Sequence, residues 1–128
     1  MATEIQKQCE TIEECYEFTL SFAARGLASD EGSGLRESLA RAVAAMRGLE
    51  PSCADLIASV RLDPIEKYKA FFAVLLRDAE AAIAAVDLVL AQPTIGSQLI
   101  DNLNASIHLR ALLADLFLLT EILDAPRK

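Results

Sequence analysis

DPIEKYKAFFAVLLRDAEAAIAAVDLVLAQPTIG, residues 63–96, is the stretch on which the fold turns. Asp63 stands where an N-cap is wanted, Pro64 at the first helical position, and Glu66 where a capping box places its acid. Nothing that breaks a helix follows until Pro93 and Gly96, and Ala and Leu fill the interval with only scattered β-branched residues. The spacing predicts one helix over 64–91. Its polar residues Glu66, Lys69, Arg77, Glu80 and Asp87 fall on a single stripe, with Ala73 and Ala84 in the gaps. That stripe is narrow, so the helix must be covered on most sides.

Downstream, after the Pro93–Gly96 turn, the pattern predicts a second long helix over 97–123. Its own narrow polar stripe is Asp101, Asn104, His108 and Asp115, with Ala111 between the last two. Two helices of about 40 Å each, at ~1.5 Å per residue, joined by so short a turn must form an antiparallel hairpin. Upstream, a helix over 4–25 is expected, with Thr3 as N-cap, Gln6 completing the capping box and Gly26 as its stop. Its apolar face reads Ile5, Cys9, Ile12, Tyr16, Leu20, Ala23 and Leu27, widened by Phe18 and Phe22. Residues 28–34, polar and rich in Gly and Ser, read as a flexible loop.

A helix over 35–47 places Leu35, Leu39, Ala42, Val43 and Met46 on one side. Gly48 and Pro51 interrupt it, and a shorter helix over 51–61 continues with Leu56, Ile57 and Val60. The expected fold is all-α: one domain over 1–128, an antiparallel four-helix bundle with a kinked or broken second helix, arranged up-down-up-down, with a frayed tail over 124–128.

Composition narrows the function classes. The net charge of −7 and the lack of any basic patch oppose nucleic-acid binding. The first residues lack the basic start and apolar run of a secretory signal, and charged residues interrupt every apolar segment, so a cytoplasmic protein without a membrane span is expected. Cys9, Cys15 and Cys53 are odd in number and have no C-x-x-C spacing, which reads as reduced, semi-buried thiols.

Residues 70–91 are apolar at more positions than one monomeric bundle needs to bury. A homodimer would use the excess, with Phe71, Phe72, Leu75, Leu76, Leu112, Leu116 and Leu119 as candidate interface residues. Ala79, Ala81, Ala82, Ala84 and Ala85 would let helices approach closely or leave a slot for an apolar ligand.

Glu10, Glu13, Glu14 and Glu17, at i, i+3, i+4 and i+7, form an acidic ridge. Like charges at that spacing repel by a few tenths of a kcal/mol, roughly, for each pair, which invites either compensation by Arg36, Arg41 and Arg47 or docking of a basic protein partner. A di-iron carboxylate bundle needs Glu-x-x-His on two helices, and this chain has one histidine with Ala105 three residues before it.

The run Ser106-Ile107-His108-Leu109-Arg110-Ala111-Leu112-Leu113 resembles the phosphoacceptor box of histidine-kinase dimerisation helices over eight residues. It lacks the acidic residue after the histidine and the proline after the arginine; the resemblance implies phosphotransfer at His108. No catalytic constellation and no cofactor site emerge. The sequence reading is a non-enzymatic interaction protein, an adaptor, small chaperone or regulatory subunit, with a small-molecule or cofactor-binding bundle as the alternative and phosphotransfer at His108 as the third.

Overall fold

A computed structural model describes residues 4–125; the expected Thr3 cap and the end of the expected frayed tail lie outside them. The chain forms α1 (Glu4–Ala24), α2 (Leu35–Arg47), α3 (Leu49–Ser59), α4 (Ile65–Leu90), α5 (Ser97–Ala105) and α6 (His108–Asp124), with no strand among the described residues. α1 packs on α2 and on α5–α6, α4 packs on α2 and on α6, and α1 and α4 face each other across the diagonal. The helical-bundle expectation holds.

Side-chain contacts give directions. Arg36, early in α2, donates to the carbonyls of Leu90 and Gln92 at the end of α4, whereas Met46 lies beside Leu76 and Ile83, so α2 and α4 run antiparallel. Thr19 meets Asn104 and Leu27 meets Ser97, so α1 and α5 do too.

The core is formed by one stripe from each helix. On α2 the expected residues Leu35, Leu39, Ala42, Val43 and Met46 are all buried. On α1 the buried residues are Ile5, Gln8, Cys9, Ile12, Cys15, Thr19 and Phe22, a stripe that departs from the expected face after Ile12. The alternation of three- and four-residue steps is kept, but it turns inward at Cys15 and Thr19 in place of Tyr16 and Leu20. Thr19 tolerates the core because its hydroxyl donates to the Tyr16 carbonyl at 2.7 Å. Leu20 is left 47% exposed.

Three boundaries differ from expectation. α4 begins at Ile65, with the extended Pro64 (φ −81°, ψ 127°) as its N-cap residue and no side-chain cap; a proline there supplies the carbonyl for the first turn and sacrifices no helical N–H. α3 starts at Leu49, before Pro51, because a proline in the first turn removes only an N–H that has no helical partner. The expected single helix over 97–123 is broken: Ile107 has φ 64°, in the left-handed region, and separates α5 from α6. The Ser106 amide still bonds to Asn102, and the Ala111 amide to Ile107 at 2.8 Å, so few backbone groups are orphaned at the break.

The segment read as a flexible loop carries its own set of bonds. Asp30 accepts from the Ile95 amide at 2.9 Å and pairs with Arg36 at 2.8 Å, which ties residues 28–34 to the α4–α5 turn. The Ile95 bond, helped by Arg36, holds the Asp30 carboxyl below the ordinary carboxylate range. Beside it, buried Ser97 accepts from the Leu27 amide at 2.8 Å and donates to the Phe22 carbonyl at 2.6 Å. A side chain at Gly96 would come within 3.2 Å of the carbonyls of Leu27 and Ala28, so glycine permits this close approach.

Candidate functional site

Packing α6 between α1 and α4 buries Leu109, Leu112, Leu113, Leu116 and Leu119 and leaves Arg110, Ala114, Phe117, Leu118, Glu121 and Ile122 outside. The candidate interface residues Phe72, Leu75, Leu112, Leu116 and Leu119 therefore belong to the protomer's own core, and only Phe71 and Leu76, half-buried, retain access to solvent. Burial inside one chain leaves Phe72, Leu75, Leu112 and Leu116 no face to offer a second, and Leu119 reaches only the lining of a groove between α4 and α6. The exposed apolar residues of α6 are their sequence neighbours: Phe117 at 45%, Leu118 at 52% and Ile122 at 43%.

Two grooves flank that exposed ridge. The first, of about 300 Å³, lies between α4 and α6 and is lined by Lys67, Tyr68, Phe71, Leu118, Leu119 and Ile122. Its floor is apolar and Lys67 is its one charged residue. The second, of about 350 Å³, lies between α1 and α6, with Tyr16, Leu20, Leu113 and Phe117 as apolar lining and Glu13, Glu17 and Arg110 as the charged residues.

Two members of the acidic ridge, Glu13 and Glu17, line the second groove, and Glu10 and Glu14 are not among its lining residues. Glu10, Glu14 and Glu17 are exposed and Glu13 is half-buried. Of the expected compensating cations, Arg36 pairs with Asp30 and Arg47 with Asp87 at 2.7 Å, whereas Arg41, exposed on α2, acts electrostatically on Cys15 of α1. Among the described residues, none of the four glutamates makes an ion pair.

The stripe Asp101, Asn104, His108 and Asp115 does not form one site. Asp101 and His108 are exposed. Asn104 turns toward α1, where the Thr19 hydroxyl lies 3.1 Å from its Oδ1, while Asp115 turns toward α4. The break at Ile107 separates the two halves of the stripe, which a continuous helix would have kept in line.

Asp115 meets Asp78 of α4, a partner that reading along one helix does not supply. Loss of water, then the hydrogen bond and the charge of Asp78, push the Asp115 carboxyl up to about 7. Its Oδ2 is buried without a partner. The pair lies on the α4–α6 side of the molecule, one turn from the exposed Val74 on α4 and from Leu118 on α6.

The cysteines are all buried and unpaired. Burial, reinforced by Glu13 and Glu10, pushes Cys9 up to about 11; burial and Glu50 do the same for Cys53, and burial raises Cys15. Thiols so held are poor nucleophiles at neutral pH. No group of three or more metal-ligating side chains occurs among the described residues. None of their helices is long and apolar enough to cross a membrane. Comparisons with protein-family profiles, curated protein sequences and solved structures gave no match.

Proposed function

We propose that this chain is a non-enzymatic interaction protein, an adaptor, small chaperone or regulatory subunit, that works as a homodimer joined through its α4–α6 side. The observation that carries the reading is the apolar ridge of Leu118 and Ile122 running beside an apolar groove floored by Tyr68 and Phe71. A ridge next to a groove of matching chemistry is self-complementary: under a two-fold axis each copy's ridge enters the other's groove, and the contact closes. Exposed Val74 extends the same surface. Lys67 stands among the lining residues of that groove.

Sedimentation equilibrium of wild-type protein and of Leu118→Lys tests the reading. Wild-type protein should be dimeric at micromolar concentration, and Leu118→Lys monomeric with unchanged helical circular dichroism. A wild-type chain that stays monomeric at 100 µM, roughly the weak end of specific association, would refute it.

A further inference from the structure

The α1–α6 groove is a different surface from the one assigned to self-association, and its chemistry is different. Its apolar lining includes Leu20, 47% exposed, and Phe117, at 45%. Its α1 lining carries Glu13 and Glu17, neither with an ion pair among the described residues, while Glu10 and Glu14 lie further round the exposed face of α1. From Glu13 to Leu20 the border is about 10 Å long at ~1.5 Å per residue, close to two helical turns. Glu13 and Glu17, at i and i+4, present their charge along one edge of the groove, which matches cations at the same interval on a second helix. Arg110 is the single cation in the lining.

A second copy of the chain fits this groove poorly. The carboxylates of Glu13 and Glu17 on each copy would face those of the other across a two-fold contact here, and like charges at close range repel. An apolar strip with a carboxylate border instead complements a helix whose apolar face is bordered by Lys or Arg. We propose that the α1–α6 groove binds a cationic amphipathic helix of a partner protein, whose apolar residues cover Leu20 and Phe117 while its basic residues pair with Glu13 and Glu17.

This inference is independent of self-association through α4–α6, and the test keeps the two apart. The chain contains no tryptophan. A synthetic 18-residue peptide of Leu and Lys at helical amphipathic spacing, with one Trp on its apolar face, therefore reports its own burial through its emission maximum. Wild-type protein should bind it with a blue shift. The double variant Glu13→Lys/Glu17→Lys should weaken binding about tenfold or more, as loss of close charge pairs across an interface does.

Phe117→Ser should abolish the blue shift. Glu37→Lys and Asp55→Lys, on exposed positions of α2 and α3, should leave binding within twofold. A second peptide with Lys replaced by Glu should bind the double variant better than wild type, which shows that the variant is folded and its groove intact. Equal binding of a scrambled peptide of the same composition, or equal weakening by Glu37→Lys and by the groove variants, would overturn the proposal, because either result means that the overall negative charge is the attractant. Absence of a blue shift with wild-type protein would overturn it as well. Leu118→Lys, which addresses only the α4–α6 side, should bind the peptide as wild type does.

Discussion

Asp115 looks in the sequence like one more member of a polar stripe, and its position on a helix face is legible there. Its partner Asp78 is not, because the meeting depends on the register between α4 and α6, which no pattern within either helix records. The consequence is a pH dependence whose sign can be worked out. A carboxyl that holds its proton more tightly in the folded chain than in the unfolded one favours folding while it is protonated. That contribution is fully present below the ordinary carboxylate range and is lost as pH rises through about 7. Asp115 is half-buried and water screens part of the effect, so the loss amounts to about 1–2 kcal/mol. Asp115→Asn keeps the shape and a donor toward Asp78 without the charge. It should raise the urea midpoint at pH 8 by about 1 kcal/mol in stability and change it little at pH 5. A variant destabilised equally at both pH values would show that Asp115 is not held in this way. Asp30 acts with the opposite sign, its lowered carboxyl favouring folding above the ordinary carboxylate range and weakening it as pH falls below.

At the scale of elements, capping signals, Gly26 and the Pro93–Gly96 turn placed most helix boundaries within a few residues. The break at residues 106–107 escaped because it carries neither Gly nor Pro. Ile107 is a β-branched residue in the left-handed region, a conformation that costs an L-residue roughly 1–2 kcal/mol, so packing on both sides must hold it there. α5 is clasped to α1 through Ser97 and Thr19, whereas α6 lies against both α1 and α4, and a single straight helix does not satisfy both attachments. If the residue is held left-handed, the normal ranking of small residues reverses. Ile107→Gly should be more stable than Ile107→Ala by about 1 kcal/mol, whereas in a helix interior alanine leads by about that amount. Guanidinium titrations of the two variants decide it, and alanine leading would mean that residues 97–123 form one continuous helix. The same break explains why the four-residue polar stripe did not become one site.

At the scale of the whole molecule, helix existence and type followed from composition and periodicity, but which apolar residues face the core did not. α4 and α6 carry apolar side chains on so much of their circumference that several assignments satisfy the 3.6-residue period equally well. The choice between Leu116 and Leu118 is made by where α1 and α4 lie, which is a property of the assembled bundle. Leu116 is fully buried and Leu118 is 52% exposed, so the same truncation has different consequences two residues apart. Leu116→Ala removes core packing and leaves a cavity, which should cost about 2–5 kcal/mol of stability, a large part of what a domain of this size possesses. Leu118→Ala, in the monomer, should change stability by no more than about 0.5 kcal/mol. Chemical denaturation at low protein concentration isolates that monomer term. Repeating it at high concentration adds the dimer term, because a partner that binds only the folded chain raises apparent stability by mass action. Wild type and Leu116→Ala should therefore gain midpoint with concentration, and Leu118→Ala should gain less. If the two alanine variants lose stability equally at low concentration, α6 is rotated from the position described. If concentration moves no midpoint, the α4–α6 side faces solvent in the working molecule, and the α1–α6 groove remains the surface through which a partner is met.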